Sequence, residues 1–335
     1  MYLYLHAIIF IILNLIIYFN FNYINSLINI YDEIGEDRKI HKERTPLLGG
    51  FIILINTVLF LFLINLETNI NSFFNLNLQF TLVLMMMLFS NFILGVYDDK
   101  FNLKARYKLF FITLIIGVSL LNLDIIVIKE IRLSFYDNIV HLNYFSYFFS
   151  LFCYLIFLNA YNMYDGINLQ NGIYAIGIFL YFILNSIEPF FSYVLIMALI
   201  NFLILNYKGR TFMGDSGTIF ISIIISTIVI YNYNANKIIY ADEIFLLMII
   251  PGLEIIRLFI IRLIKRKSPF KPDRNHLHHL LIKKYSVIKS NYVLAFLSFS
   301  PIILSIFISN LISIFYGITI YIVLIIYLKI HINKY

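Results

Sequence analysis

Apolar runs near the roughly 20 residues that a helix needs to cross a bilayer recur along this chain, separated by short breaks rich in charge, Gly, Pro and Asn. Eleven runs emerge, centred roughly on residues 12, 57, 87, 117, 153, 179, 198, 225, 251, 300 and 319. With the N-terminus outside, the loops at 29–46, 97–108, 160–172, 208–217 and 262–290 and the tail after 329 face the cytoplasm. Charge supports that orientation. When Arg257, at a helix end, is counted with the cytoplasmic set, only Lys129, Arg132 and Lys237 of the 25 Lys and Arg fall outside. The pattern predicts an all-α integral membrane protein with about 11 transmembrane helices, N-terminus outside and C-terminus cytoplasmic. The run "LYLHAIIFIILNLIIYF" has no basic residue ahead of it and no small-residue cleavage site behind it, so it reads as a retained helix.

Composition agrees. Of 335 residues, 61% are hydrophobic and 13% charged, more apolar surface than one water-soluble core can hide. No long Gly/Ser/Pro linker interrupts the chain, so 1–335 reads as a single polytopic domain. The lone Cys153 excludes an intrachain disulfide and reads as a small buried hydrophobe. A formal charge of +7, concentrated in loops beside lipid, suits anionic lipid and phosphate-bearing ligands; no nucleic acid is implied.

Four polar stretches carry candidate chemistry, and a fifth is acid-bearing but free of cations. In "DEIGEDRKIHKERTPLLGG", basic residues Arg38, Lys39, His41, Lys42 and Arg44 precede the pair Gly49–Gly50, which opens the next run and permits close backbone approach. In "GVYDDKFNLKARYKL", Asp98 and Asp99 repel unless a cation neutralises them, which makes them candidates for a metal's neighbours or a proton acceptor. A helix starting near Asn102 would put Lys104 and Lys108 on one face, where they could hold phosphate. In "KGRTFMGDSGTIF", Asp215 stands at a helix start, where a carboxylate can serve merely as a cap, and Phe212 offers a ring for stacking. In "RLIKRKSPFKPDRNHLHHLLIKK", His276, His278 and His279 lack the Cys and clustered acids of a closed zinc site; with Arg274 they suit phosphate oxygens better.

The fifth, "NAYNMYDGINLQNG", holds Asp165 with no Lys or Arg beside it. Asp98, Asp99, Asp165 and Asp215 thus each end or begin an apolar run on the same predicted side, where they can converge. Hard oxygen donors without thiolates favour Mg²⁺, with Mn²⁺ as the alternative, and acids framed by Lys, Arg and His describe a phosphoryl-transfer site.

From about residue 32 to residue 284 the chain resembles the polyprenyl-phosphate N-acetylhexosamine-1-phosphate transferases. "RKIH…TPLLGG", "DDKFNLKARYK", "NAYNMYDGIN", "FMGDSG" and "SPFKPDRNHLHHLL" stand in family order, and "HLHH" looks like the N-acetylglucosamine-1-phosphate branch. The resemblance implies an enzyme of a bacterial cytoplasmic (inner) membrane. It would move a HexNAc-1-phosphate from a UDP-HexNAc to undecaprenyl phosphate, releasing UMP, as the first membrane step of a surface glycan. It also implies that Asn162 and Asp215 hold Mg²⁺, and that Asp98, Asp99 and Asp165 are catalytic, with Asp98 favoured for deprotonating the lipid phosphate. Lys108 would bind phosphate, Asn168 and Phe212 would contact uracil, and Arg274, His276, His278 and His279 would grip the diphosphate and sugar. A homodimer is compatible with this reading.

Two positions depart from the family. "DGIN" replaces the commoner "DGID", so Asn168 lacks the acid's charge; and Glu254 follows Pro251 where Asp is frequent. Glu254 and Arg257, three apart on a helix, are expected to form an intramembrane ion pair. The peptidoglycan-precursor branch that transfers phospho-N-acetylmuramoyl-pentapeptide is the alternative within this chemistry. A polytopic transporter is the alternative outside it, but His6, Asp124 and Glu254 do not form a midplane set.

Overall fold

The computed structural model describes residues 2–33, 44–66, 78–266 and 275–332. Its helices are α1 (Tyr2–Phe19), α2 (Phe21–Ile28), α3 (Gly49–Leu66), α4 (Leu78–Phe101), α5 (Ala105–Asn122), α6 (Ser146–Met163) and α7 (Gln170–Leu184). They continue with α8 (Pro189–Tyr207), α9 (Gly214–Asn234), α10 (Ala241–Leu247), α11 (Ile249–Ile264), α12 (Leu277–Ile282), α13 (Val287–Leu304) and α14 (Asn310–Ile332). Two antiparallel pairs accompany them, β1 (Tyr31–Asp32) with β2 (Thr45–Pro46) and β3 (Glu130–Leu133) with β4 (Tyr136–His141), along with short 3-10 turns at Asp124–Ile126 and Asn143–Phe145.

Each of the eleven predicted centres lies on a helix. Among the described residues seven helices are long and apolar enough to cross a membrane, or up to nine if each of two bent pairs is one span. The segments Gly49–Ile64 and Gln170–Leu184 are shorter apolar helices. One bend has a clear cause. Between α10 and α11 the axis turns by 77°, where Pro251 has no N–H to give the carbonyl of Leu247 four residues back. Tyr174 Oη donates to that carbonyl instead, at 2.8 Å, so the broken turn leaves no orphan acceptor there.

The helices fall into two compact units. The first comprises residues 1–123 and 175–224. In it α1, α3 and α8 pack together around three buried amides: Asn14 Nδ2 donates to Asn56 Oδ1 at 2.8 Å, and Asn201 Nδ2 donates to the Asn14 carbonyl at 2.9 Å. Such bonds hold apolar helices together where hydrophobic burial distinguishes poorly between lipid and protein, each worth roughly 0.6 kcal/mol. Helices α4 and α5 form a hairpin whose turn passes through Asn102 at φ +51°.

The second unit comprises residues 124–174 and 225–335. Here α6 packs on α11, and α13 on α14. The β3–β4 hairpin is pinned through Arg132, which donates to the Tyr233 carbonyl at 2.5 Å and lies over the Tyr233 ring. Asp242, 3% exposed, accepts from the Ser134 amide at 2.8 Å.

Candidate functional site

In the first unit, two carboxylates share one ammonium, and a third carboxylate is bound to backbone amides beside them. Asp98 and Asp99 are in the last turn of α4, Lys108 in the first turn of α5, and Asp215 is the second residue of α9. Lys108 Nζ bridges Asp98 Oδ2 at 2.7 Å and Asp215 Oδ1 at 2.5 Å. It supplies a cation to Asp98, one of the two adjacent acids. Asp98 is also held by the turn, its Oδ1 accepting from the Leu103 amide at 2.7 Å. Asp99 turns instead to backbone donors, its Oδ1 accepting from the Asp215 amide at 2.6 Å and its Oδ2 from the Ser216 amide at 3.0 Å. A carboxylate from α4 therefore satisfies the unpaired donors at the start of α9 and meets the positive end of its dipole. Asp215, placed by sequence as a candidate cap, is left with its side chain turned to Lys108.

Glycines make these approaches possible. Gly214 adopts φ +73°, and a Cβ there would lie 2.7 Å from Asp99 Oδ2; at Gly95 one would lie 2.5 Å from the Ser216 Cα. The "TPLLGG" segment is stitched to "TFMG": the Phe212 amide donates to the Pro46 carbonyl at 2.9 Å, Gly49 to the Phe212 carbonyl at 3.0 Å and Gly50 to the Met213 carbonyl at 3.1 Å. Phe212 is thereby fixed by its backbone, with its ring half-buried. The expected Lys104–Lys108 helical face does not form as predicted. The left-handed Asn102 and the Asp98–Leu103 bond delay the start of α5 to Ala105, which leaves Lys104 in an extended cap position.

In the second unit, the stretch from Asn162 to Asn168 leaves the end of α6 as a tight turn, half-buried at Asn162, Asp165 and Asn168. The Asp165 amide donates to the Asn162 carbonyl at 3.2 Å, and Asn291 Nδ2 of α13 donates to the Asn168 carbonyl at 2.9 Å. Gly166 packs against the imidazole of His278; a Cβ there would fall 1.9 Å from Nε2. "DGIN" and "HLHH", about a hundred residues apart in sequence, are therefore in contact. His276, His278 and His279 cluster with ring centroids 4.3 to 5.9 Å apart. Burial of His278, together with the charges of His279, His276 and Arg257, pushes its pKa well below 6.5, so it is a neutral imidazole at neutral pH.

The expected Glu254–Arg257 ion pair is present, with Arg257 Nη2 2.7 Å from Glu254 Oε1. It reaches further than sequence spacing could indicate. Glu254 Oε1 accepts from the Leu277 amide at 2.7 Å, Arg257 Nη2 donates to the Asn275 carbonyl at 2.6 Å, and Tyr321 Oη donates to Glu254 Oε2 at 2.5 Å. The buried pair thus clamps both sides of His276 at the start of α12.

Of the sequence candidates, Asp98, Asp99, Lys108 and Asp215 meet in one unit, with Phe212 close by in sequence to Asp215. Asn162, Asp165, Asn168, His276, His278 and His279 belong to the other. Arg274, and Arg38, Lys39, His41 and Lys42 of the first loop, lie outside the described residues. Sequence reasoning missed Tyr321 and Asn171. Asn171, 1% exposed, has neither amide atom hydrogen-bonded among the described residues. The polar run "LQNG" at the head of an apolar helix was its only signal.

In the first unit Asp215 Oδ1 accepts the positive charge of Lys108, and a carboxylate of this kind is a hard oxygen donor of the sort Mg²⁺ takes one or two of, with phosphate and water completing its shell. Among the described residues no three His, Cys, Asp or Glu side chains form a metal-binding group.

Residues 79–233 match the family model for glycosyl transferase family 4. The chain is 27% identical over 270 residues to an undecaprenyl-phosphate alpha-N-acetylglucosaminyl 1-phosphate transferase of Yersinia pestis, covering 77% of this chain and 71% of that one. A protein of the same name from Thermotoga maritima is 27% identical over 260 residues, 77% of this chain and 75% of its own length. The Escherichia coli K12 protein of that name is 27% identical over 213 residues, 60% of this chain and 58% of its own.

Proposed function

We propose, for a chain whose residues 79–233 are of the glycosyl transferase family 4 type, that it transfers a HexNAc-1-phosphate from a UDP-sugar to undecaprenyl phosphate. UMP is the other product. The observation that carries this reading is the Asp98–Lys108–Asp215 cluster held at the start of α9. Three relatives that share "undecaprenyl-phosphate alpha-N-acetylglucosaminyl 1-phosphate transferase" as a name support it, and nothing favours the pentapeptide branch over it.

In this reading an oxygen of the lipid phosphate attacks the β-phosphorus of the UDP-sugar. A new P–O bond forms as the anhydride bond to the α-phosphate breaks and UMP departs with that oxygen. Lys108 neutralises phosphate charge, and Asp98 orients the lipid phosphate and takes its residual proton. A phosphate whose second pKa is near 6 has mostly lost that proton at neutral pH, so Asp98 contributes chiefly placement. Asp99, with both oxygens committed to the α9 amides, positions Asp215. By the family resemblance Asn168 and Phe212 would contact the uracil, Asp165 would be a further catalytic carboxylate, and Arg274, His276, His278 and His279 would hold diphosphate and sugar. By the same resemblance Asn162 and Asp215 would hold Mg²⁺ or Mn²⁺, which would supply charge neutralisation for the diphosphate.

The finer topology belongs to the same proposal: eleven spans, N-terminus outside, and a reaction at the cytoplasmic face of a bacterial inner membrane. The one-sided distribution of Lys and Arg supports it. Membranes containing the protein should form a lipid-linked product from UDP-GlcNAc or a related UDP-HexNAc, and a competition panel of UDP-sugars will rank the sugars. Full turnover in EDTA would remove the metal from the scheme.

A further inference from the structure

One cavity outside both clusters gathers cations with little to balance them. It has a volume of about 230 Å³, is walled by Ile261, Ile264 and Leu280, and takes its charge from Arg257, Lys265 and Lys329. Arg257 is only partly engaged. Its Nε and Nη2 serve Glu254, Tyr321 and the Asn275 carbonyl, whereas Nη1 is buried and has no hydrogen-bond partner among the described residues. Buried donors without a partner are uncommon, and Arg257 is one of the residues that line the cavity. Glu254 balances the Arg257 charge. Among the described residues Lys265 and Lys329 have no carboxylate partner, and both line the cavity.

A guanidinium edge and two ammonium groups around a small cavity suit a tetrahedral oxyanion, to which Arg offers directed donors and Lys point charges. The setting adds an apolar requirement. Lys265 directly follows α11 and Lys329 stands in the last turn of α14, both apolar helices. The neighbouring Ile260, Leu263 and Ile264 are 48%, 51% and 76% exposed, an unpaired apolar stripe beside the cations. On α12, Leu280 and His278 are two residues apart, about 200° around the axis, so the cavity does not adjoin the face that meets Gly166.

We infer that this cavity binds the phosphate of an anionic membrane lipid, with the headgroup against Arg257, Lys265 and Lys329 and its chains along the exposed Ile260–Ile264 side of α11. Basic pockets between membrane helices recognise anionic headgroups by this combination of charge and apolar wall. The inference does not depend on the proposed reaction. Its occupant would also touch the cation that fixes the Asn275 carbonyl.

The test uses the full-length protein in nanodiscs of phosphatidylcholine alone, of phosphatidylcholine with phosphatidylglycerol, and of phosphatidylcholine with added inorganic phosphate. Thermal unfolding and native mass spectrometry of retained lipid are the readouts. Phosphatidylglycerol should raise the melting temperature and remain bound, and Lys265→Gln/Lys329→Gln should weaken that binding about tenfold while leaving the phosphatidylcholine baseline unchanged. An equal increment in the double variant, or none in the wild type, overturns the site. If inorganic phosphate reproduces the saturable increment, the source is a soluble phosphate and the lipid assignment falls.

Discussion

The acid cluster of the first unit and the histidine cluster of the second solve opposite problems. Around Lys108, three carboxylates stay close because one ammonium and two backbone amides take their charge. Around His278, three imidazoles stay close because His278 is kept neutral by burial, and its ring is seated on a glycine rather than on a counter-charge. The first cluster is held by electrostatics and the second by shape. Charge-neutralising substitutions should therefore damage the first most, and added volume the second.

The largest effect is expected at Asp215. Asp215→Asn should lower turnover by about 10³-fold or more, the scale of losing a group that acts in the transition state, while the protein still unfolds cooperatively; wild-type activity would remove Asp215 from the site. Next comes Gly166→Ala, whose Cβ must displace the His278 ring. It should cost about 2 kcal/mol of stability, and His278→Ala in the same chain should recover much of that loss. Additive melting shifts would refute the contact.

Asp99→Asn should be milder, because an amide oxygen can still accept one of the two α9 amides. A stability loss of about 1 kcal/mol is expected, with kcat falling more than KM rises if Asp99 acts by placing Asp215. Acid should act on the second cluster. The lowered pKa of His278 means that the unfolded chain takes up a proton near pH 6.5 that the folded chain resists, so the stability present above that pH declines as pH falls below it. His278→Gln should flatten that slope in a pH series of melting curves. Lys104→Ala is the control at the small end, expected within about 0.5 kcal/mol because an exposed cap residue without a side-chain bond contributes little.

The sequence made the helices legible because an apolar run about 20 residues long has few alternatives in a chain of this composition. It also placed Glu254 with Arg257, since a spacing of three on a helix fixes proximity. It could not divide the labour between Asp98 and Asp99. Adjacent residues on a helix point about 100° apart, and only the tertiary fold sends one carboxylate to Lys108 and the other to the α9 amides. The start of α5 was misplaced for a related reason, since the left-handed turn at Asn102 is stabilised by a side-chain bond that no local pattern announces. Asn14, Asn56 and Asn201 illustrate the same limit: in an Asn-rich chain nothing local separates these interhelical bonds from the asparagines of "NAYNMYDGIN".

In the proposed reaction the bond broken lies between the two phosphates of the UDP-sugar. Purified protein given UDP-GlcNAc or a related UDP-HexNAc and undecaprenyl phosphate, with the nucleotide product resolved by chromatography, tests it most directly. UMP is expected, formed in equal amount with a lipid-diphosphate sugar and lost in Asp215→Asn. Release of UDP instead, with the sugar transferred without its phosphate, would contradict it.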